Sequence, residues 1–134
     1  MEPHPPLPKS AIRAVIAFLN ASFAEYGIRA STIVPNPRPE HFFKVTLDGL
    51  TWAPEDESEI AAHTDALVNV EYWETNPDAA ESLGRLVFAK LADFNTDDFW
   101  CVGFTAGLAY LEDELAEVPR YVCTPIIRSR IENC

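Results

Sequence analysis

The stretch that decides the fold is residues 41–52, HFFKVTLDGLTW, where apolar and polar side chains alternate up to an Asp-Gly pair. Apolar residues at every second position from Phe43 to Leu47 would lie on one face of an extended strand. Asp48-Gly49 between two such runs is the strongest short-range signal for a β-hairpin. The sequence therefore predicts antiparallel sheet here, with a short strand returning after the turn.

Three segments outside this hairpin show the 3.6-residue spacing of apolar residues that is typical of helices. The first, residues 10–26, begins at Ser10, a good N-cap, and is followed by a glycine suited to end a helix. The second, residues 75–95, begins with a capping residue followed by proline. The third, residues 96–118, is apolar around most of its circumference in its first half, so we expect it to be the central buried helix.

Further strands are predicted where β-branched and aromatic residues cluster or alternate. These segments are residues 28–34, 67–73 and 121–127. Pro125 would place the last strand at an edge of the sheet, because proline donates no hydrogen bond to a neighbouring strand. A short helix is expected over residues 55–63, and a single helix over residues 55–74 is the competing interpretation.

The irregular alternation of these elements favours the α+β class. We expect one compact domain over residues 10–134, with a small, mostly antiparallel sheet of four to five strands packed against three main helices. Residues 1–9 contain four prolines, which exclude a helix, and are predicted to form a flexible arm.

Charge is distributed unevenly along the 134 residues, whose net charge is −11. Residues 48–117 hold 17 acidic side chains but only two basic ones, whereas residues 1–47 and 118–134 each carry a net charge of +2. Such an excess of like charge destabilises a folded domain. The excess also argues against direct binding to nucleic acid, because phosphate contacts require Lys and Arg.

We therefore expect a surface that docks on a basic protein, most simply on the nucleic-acid groove of a nucleic-acid-binding protein or ribonucleoprotein, where carboxylates can take the place of phosphates. Trp73 is the first choice for an exposed aromatic anchor, because it falls on the strand face opposite Val70 and Tyr72. The predicted partner-binding residues are Glu55, Asp56, Glu57, Glu59, Glu71, Trp73, Glu74, Asp78, Glu112, Asp113, Glu114 and Glu117.

No motif predicts catalysis. Glu59 and His63 are four residues apart, but the HExxH pattern of zinc proteases is absent, as are the common glycine-rich phosphate loops. Cys101 and Cys123 are expected to be small buried residues. We therefore expect neither an enzyme nor a metal or cofactor site. No apolar run approaches the length of a membrane span, and residues 1–8 do not have the pattern of a signal peptide, so we expect a cytoplasmic protein.

The function that these observations favour is a small acidic inhibitor of the kind that phages and mobile elements direct against host defence, including anti-CRISPR proteins. It would act in the host cytoplasm. An immunity protein or antitoxin that neutralises a toxin is one alternative. The other is a secretion chaperone, since acidic chains of this size with mixed helices and strands resemble the type III secretion chaperones. That resemblance implies a partner held largely unfolded and a homodimer, whereas the sequence leaves monomer and homodimer open.

Overall fold

A five-stranded sheet with two α-helices makes up the computed structural model, which describes residues 9–53, 63–111 and 118–130. The elements in chain order are α1 (Ala11–Ser22), a turn of 3-10 helix (Ala24–Tyr26), β1 (Ala30–Ser31), β2 (His41–Ala53), β3 (His63–Glu74), α2 (Pro77–Ala92), β4 (Phe99–Leu111) and β5 (Arg120–Arg130). The strand order is β1-β2-β3-β5-β4, with β1 parallel to β2 and the other pairs antiparallel. The α+β class and the single domain are confirmed. The expected three helices are not, because the described residues form two.

Both helices begin where the sequence predicts. The Ser10 hydroxyl accepts a hydrogen bond from the amide of Arg13 at 3.3 Å, which satisfies a backbone donor of the first turn of α1. Gly27 takes a left-handed conformation with φ of 70° directly after the 3-10 turn. The Asn76 side chain caps α2 by accepting from the amide of Asp78 at 3.0 Å, and Pro77 occupies the first turn.

The hairpin expected at Asp48-Gly49 is wrong, because β2 continues through it as one strand of 13 residues. Leu47 pairs with Val68 and Gly49 with Leu67, so Asp48 is an extra residue in a β-bulge. A two-residue hairpin turn of the Asp-Gly type needs a positive φ. Among the described glycines, positive φ occurs at Gly27 and Gly103 and not at Gly49.

The central helix expected over residues 96–118 is also wrong, because Phe99–Leu111 forms strand β4. Two glycines, Gly103 and Gly107, lie inside this segment, and each would cost a helix interior about 1 kcal/mol relative to alanine. Gly103 instead takes a φ of 152°, where the pairing of β4 with β5 shifts register.

Three other predictions are corrected by the sheet. The single helix over residues 55–74 is excluded, because β3 occupies His63–Glu74; the rest of the short helix expected over residues 55–63 lies outside the described residues. The strand expected over residues 28–34 is shorter than predicted, because β1 has only two residues. Strand β5 is internal, and Pro125 is tolerated there because it lies opposite Phe104, between two register shifts of β4.

The core lies between the helices and one face of the sheet. On β3 the residues Ala66, Val68, Val70 and Tyr72 all point into it, and they are at most 2% exposed. Helix α1 contributes Val15 and Leu19, helix α2 contributes Val87 and Leu91, and β5 contributes Cys123 and Ile127. The alternate residues of β3 lie on the opposite, helix-free face of the sheet, and none of them belongs to the core cluster that the helices share. Neither helix is long and apolar enough to cross a membrane.

Candidate partner-binding surface

The predicted docking residues divide into those that the structure describes and those that it does not. Eight fall outside the described residues, namely Glu55, Asp56, Glu57, Glu59, Glu112, Asp113, Glu114 and Glu117. The other four are Glu71, Trp73, Glu74 and Asp78. Asp78 is exposed in the first turn of α2, while the other three are buried.

Glu71 lies on the helix-free face of the sheet but is only 9% exposed. It forms salt bridges with Arg120 of β5, at 3.5 Å, and with Lys44 of β2, at 3.8 Å. The neighbouring strands therefore place two cations around one carboxylate. Glu71 therefore links β2, β3 and β5, and these two cations offset its negative charge within the chain.

Trp73 lies on the same face, opposite Val70 and Tyr72 as predicted, but the expectation that it is exposed is wrong. Its side chain is 8% exposed, because Phe42 stacks on it with ring centroids 5.2 Å apart and the Arg120 guanidinium lies 4.4 Å from the ring centroid. The indole Nε1 is buried and has no hydrogen-bond partner among the described residues. Trp73 is thus part of a packed layer.

Glu74 ends β3 and is 3% exposed. Its carboxylate accepts hydrogen bonds from the Tyr72 hydroxyl at 2.5 Å and from the backbone amide of Asn76 at 3.2 Å, and His41 Nδ1 lies 3.2 Å away. Burial, together with the hydrogen bond to Glu74, raises the pKa of the Tyr72 phenol far above its usual range. These contacts connect the start of β2, the end of β3 and the start of α2.

Asp65 makes an ion pair that sequence reasoning missed. Arg128, its register partner on β5, donates from Nε at 2.7 Å and from Nη2 at 3.0 Å to the two carboxylate oxygens. The hydrogen bond from Arg128 holds the pKa of Asp65 below its ordinary value of 3.8, against the opposing effect of burial. No local pattern predicts this pair, because the two residues are 63 positions apart.

The exposed carboxylates are dispersed over the described surface. In residues 48–117 they are Asp48, Asp78, Glu81, Asp93, Asp97 and Asp98. Two of them have cationic neighbours, since Lys9 binds Asp98 at 2.7 Å and Arg85 lies 3.8 Å from Glu81. Among the described residues, Asp48, Asp78, Asp93 and Asp97 form no salt bridge. These four supply the unneutralised negative charge of this part of the surface. Lys9 also belongs to the arm predicted over residues 1–9, the rest of which lies outside the described residues.

The two undescribed acidic segments are attached at opposite ends of the sheet. Residues 54–62 connect Ala53 to His63, two residues that pair at one end of β2 and β3. Residues 112–117 follow Leu111, which pairs with Arg120 at the other end of the sheet. The length of β3, 12 residues, corresponds to roughly 35 Å between the two ends.

The described residues show neither a metal-binding cluster nor an activated cysteine nucleophile. They contain no group of three or more His, Cys, Asp or Glu side chains that could hold a metal ion. Burial raises the pKa of both described cysteine thiols, that of Cys123 to about 12, which is the opposite of an activated nucleophile. His41 borders a cavity of about 360 Å³ whose lining is mostly apolar and includes Arg29 and Phe42.

The comparison with known proteins gives no further assignment: no protein-family model matches the chain, and no curated protein is significantly similar to it.

Proposed function

We propose that the chain is a small acidic inhibitor that docks on a basic surface of a nucleic-acid-handling protein. The observation that carries this proposal is the excess of negative charge in residues 48–117, which hold 17 acidic side chains and only two basic ones. Of the ten basic side chains, Lys9, Lys44, Arg85, Arg120 and Arg128 are engaged in salt bridges within the chain. Among the exposed residues that the structure describes, Asp48, Asp78, Asp93 and Asp97 form no such salt bridge, and neither do the cations Arg13, Arg29 and Arg38.

An exposed carboxylate excess attracts a basic surface at long range, which raises the rate of encounter and suppresses binding to acidic partners. It repels nucleic acid itself for the same reason. The natural site for such a protein is the cytoplasm of a cell whose nucleic-acid-handling enzymes it blocks, as a phage or mobile element would require. Glu71, Trp73 and Glu74 do not belong to this docking surface, because the fold buries them.

Two charge-matched variants test the proposal. One replaces Glu55, Asp56, Glu57 and Glu59 by the corresponding amides, and the other does the same at Glu112, Asp113, Glu114 and Glu117. Each removes four negative charges at one end of the sheet, so each controls for the change in total charge made by the other. If the chain docks through a surface at one end of the sheet, the affinity for a co-purified basic partner falls at least 10-fold more in one variant than in the other.

The partner is identified by capture from the native host at about 50 mM and about 500 mM salt, since the Debye length falls from about 14 Å to about 4 Å over this range. The complex should dissociate at the higher salt, and the captured protein should lose nucleic-acid binding when the chain is added. A complex that is indifferent to salt, or two variants that bind like the parent chain, would overturn the proposal.

A secretion chaperone is the second candidate, and the open edge strand β4 favours it. The chain runs helix, three strands, helix, two strands, and an exposed edge strand occupies the place of the expected central helix. An edge strand is suited to hold an extended segment of a partner. Amide hydrogen exchange of the captured partner separates the two functions: outside the segment bound to the chain, a chaperone leaves its partner unprotected, whereas an inhibitor leaves its partner folded and protected.

A further inference from the structure

The two edges of the sheet are built differently. At one edge, β1 has two residues, which pair with Phe43 and Lys44, and it is followed by prolines at 35, 37 and 39. Beyond Lys44 the strand β2 is itself the edge among the described strands, and it carries Asp48 in a β-bulge. Short edge strands and prolines are common protections against pairing with another chain. Strand β4 forms the other edge and has 13 residues, FWCVGFTAGLAYL, without a charged residue or a proline. This edge therefore lacks two of the usual protections.

The outer side of β4 is covered only at its beginning. Asn95 forms an isolated bridge with Trp100, and the amide of Cys101 donates to the carbonyl of Phe94 at 2.9 Å. From Gly103 to Leu111 no other described strand pairs with the outer side of β4. Unpaired amide and carbonyl groups along nine residues are a template for an additional strand.

The faces of the sheet are open along this stretch. An added Cβ at Gly103 or at Gly107 would have no described heavy atom within 4 Å beyond its chain neighbours. Tyr110 is 52% exposed and Leu111 is 38% exposed, which provides apolar contact area at the end of the strand. Three register shifts with β5 bend β4 and are the protection that remains.

Exposed carboxylates precede this edge and lie at the end of the sheet where it finishes, and two of them, Asp98 and Glu81, have cationic neighbours. Asp97 and Asp98 directly precede β4. Asp78 and Glu81 lie at the start of α2, which begins at the end of the sheet where Leu111 pairs with Arg120. A second copy of the chain would bring another net charge of −11 to this edge, whereas a strand with basic flanks would bring the opposite charge. Charge therefore favours a basic partner over self-association.

We propose that residues 103–111 of β4 bind an extended segment of the partner by β-strand addition, and that this segment is uncharged in its centre and flanked by Lys or Arg. This inference rests on the proposed function, in that the segment comes from the same basic partner. Backbone hydrogen bonds supply the affinity of such a contact, and the flanking charges select the partner.

A synthetic peptide tests the proposal without altering the protein. The probe has seven alternating Thr and Val residues between two pairs of Lys. One control carries Glu in place of every Lys, and a second control carries N-methyl groups on all central amides, which removes the backbone donors while preserving charge. We expect the probe to slow amide exchange of residues 103–111, and each control to bind at least 10-fold more weakly.

Each result has a defined meaning. Equal binding of the N-methylated control overturns strand addition, and equal binding of the Glu control overturns the charge selection. If the probe neither binds nor protects residues 103–111, the proposal is wrong. A dimer in light scattering whose residues 103–111 are already protected identifies a second copy as the occupant and also overturns it.

A variant tests the same edge with the captured partner. Gly107→Pro removes one backbone donor from β4, Gly107→Ala is its matched control, and circular dichroism checks that both fold. Strand addition predicts at least 10-fold weaker binding for Gly107→Pro alone. If Gly107→Pro folds and binds normally while one charge-cluster variant loses the partner, strand addition fails and the proposed function stands. If neither the partner nor salt dependence is found, the proposed function fails by itself.

Discussion

Replacement of Glu71 by glutamine tests whether this carboxylate serves the fold. Glutamine keeps the size of the side chain but removes the negative charge from between Arg120 and Lys44, which lie 3.5 and 3.8 Å away. Removing one partner of a well-formed buried ion pair costs about 3–5 kcal/mol, because the other charge is left uncompensated. The distances here are long, and the Lys44 side chain is 33% exposed. We therefore expect Glu71→Gln to lower the free energy of unfolding by about 2–3 kcal/mol.

Urea unfolding followed by tryptophan fluorescence measures this effect, because urea does not screen charge. Glu81→Gln is the matched control: Glu81 lies 3.8 Å from Arg85, but its side chain is 69% exposed, so the expected loss is at most about 0.5 kcal/mol. The double variant Glu71→Gln/Arg120→Gln should recover part of the loss. If the free energy of unfolding falls no more in Glu71→Gln than in Glu81→Gln, the reasoning is refuted. A fully folded Glu71→Gln variant that no longer binds its partner would show that Glu71 belongs to the docking surface.

Three further predictions concern local contacts. Because the hydrogen bond from Arg128 holds the pKa of Asp65 below 3.8, its stabilising effect is present above that pH and is lost as pH falls through the lowered value. Asp65→Asn should therefore be less stable than the parent at pH 7 by about 2 kcal/mol, and the two urea midpoints should approach each other as pH falls below 3.8. A difference between the midpoints that does not shrink below this pH would contradict the prediction. Asn76→Ala should lower the free energy of unfolding by about 1 kcal/mol by removing the cap of α2, whereas Asn76→Asp should restore it. In a Cys134→Ser background, Cys101 and Cys123 should react with iodoacetamide at pH 8 much more slowly in the native chain than in the urea-unfolded chain. The reason is that burial raises the pKa of both thiols. Equal rates would show that the two thiols are accessible in the native chain.

The helices α1 and α2 could be predicted from sequence because their determinants are local. Ser10 and Asn76 cap the residues directly after them, and the apolar positions repeat within each segment. Strands β3 and β5 were predictable for a similar reason, since alternation and β-branched residues mark them without reference to a neighbour.

Strand β4 could not be predicted because a run that is apolar on all sides fits a buried helix as well as a strand. The neighbouring strand decides between them: β5 pairs with β4 over most of its length. The sequence of residues 99–111 does not by itself predict that pairing. The hairpin predicted at Asp48-Gly49 is wrong for the same reason. The dipeptide favours a turn by itself, but β3 pairs on both sides of it and holds the chain extended.

The candidate site shows the same division between local and non-local information. Asp78 is exposed as expected because a helix N-terminus favours a carboxylate at the surface. Glu71 and Glu74 belong to acidic clusters in the sequence, but their environment depends on Lys44, Arg120 and His41, which come from other strands. Sequence alone identifies how many carboxylates the chain has, and strand pairing decides which of them are neutralised.

Strand pairing also changes what the uneven charge distribution means. The strands alternate between the basic ends and the acidic middle of the chain, since β2 and β5 flank β3 on either side. Strand pairing therefore places Lys44, Arg120 and Arg128 beside carboxylates of β3. Most of the other acidic residues belong to the helix ends and the strand connections. The acidic connections 54–62 and 112–117 are attached to the sheet at ends roughly 35 Å apart. The two charge-cluster variants therefore change the charge next to two separate attachment points, and unequal losses of affinity would show which of the two connections contributes more to binding.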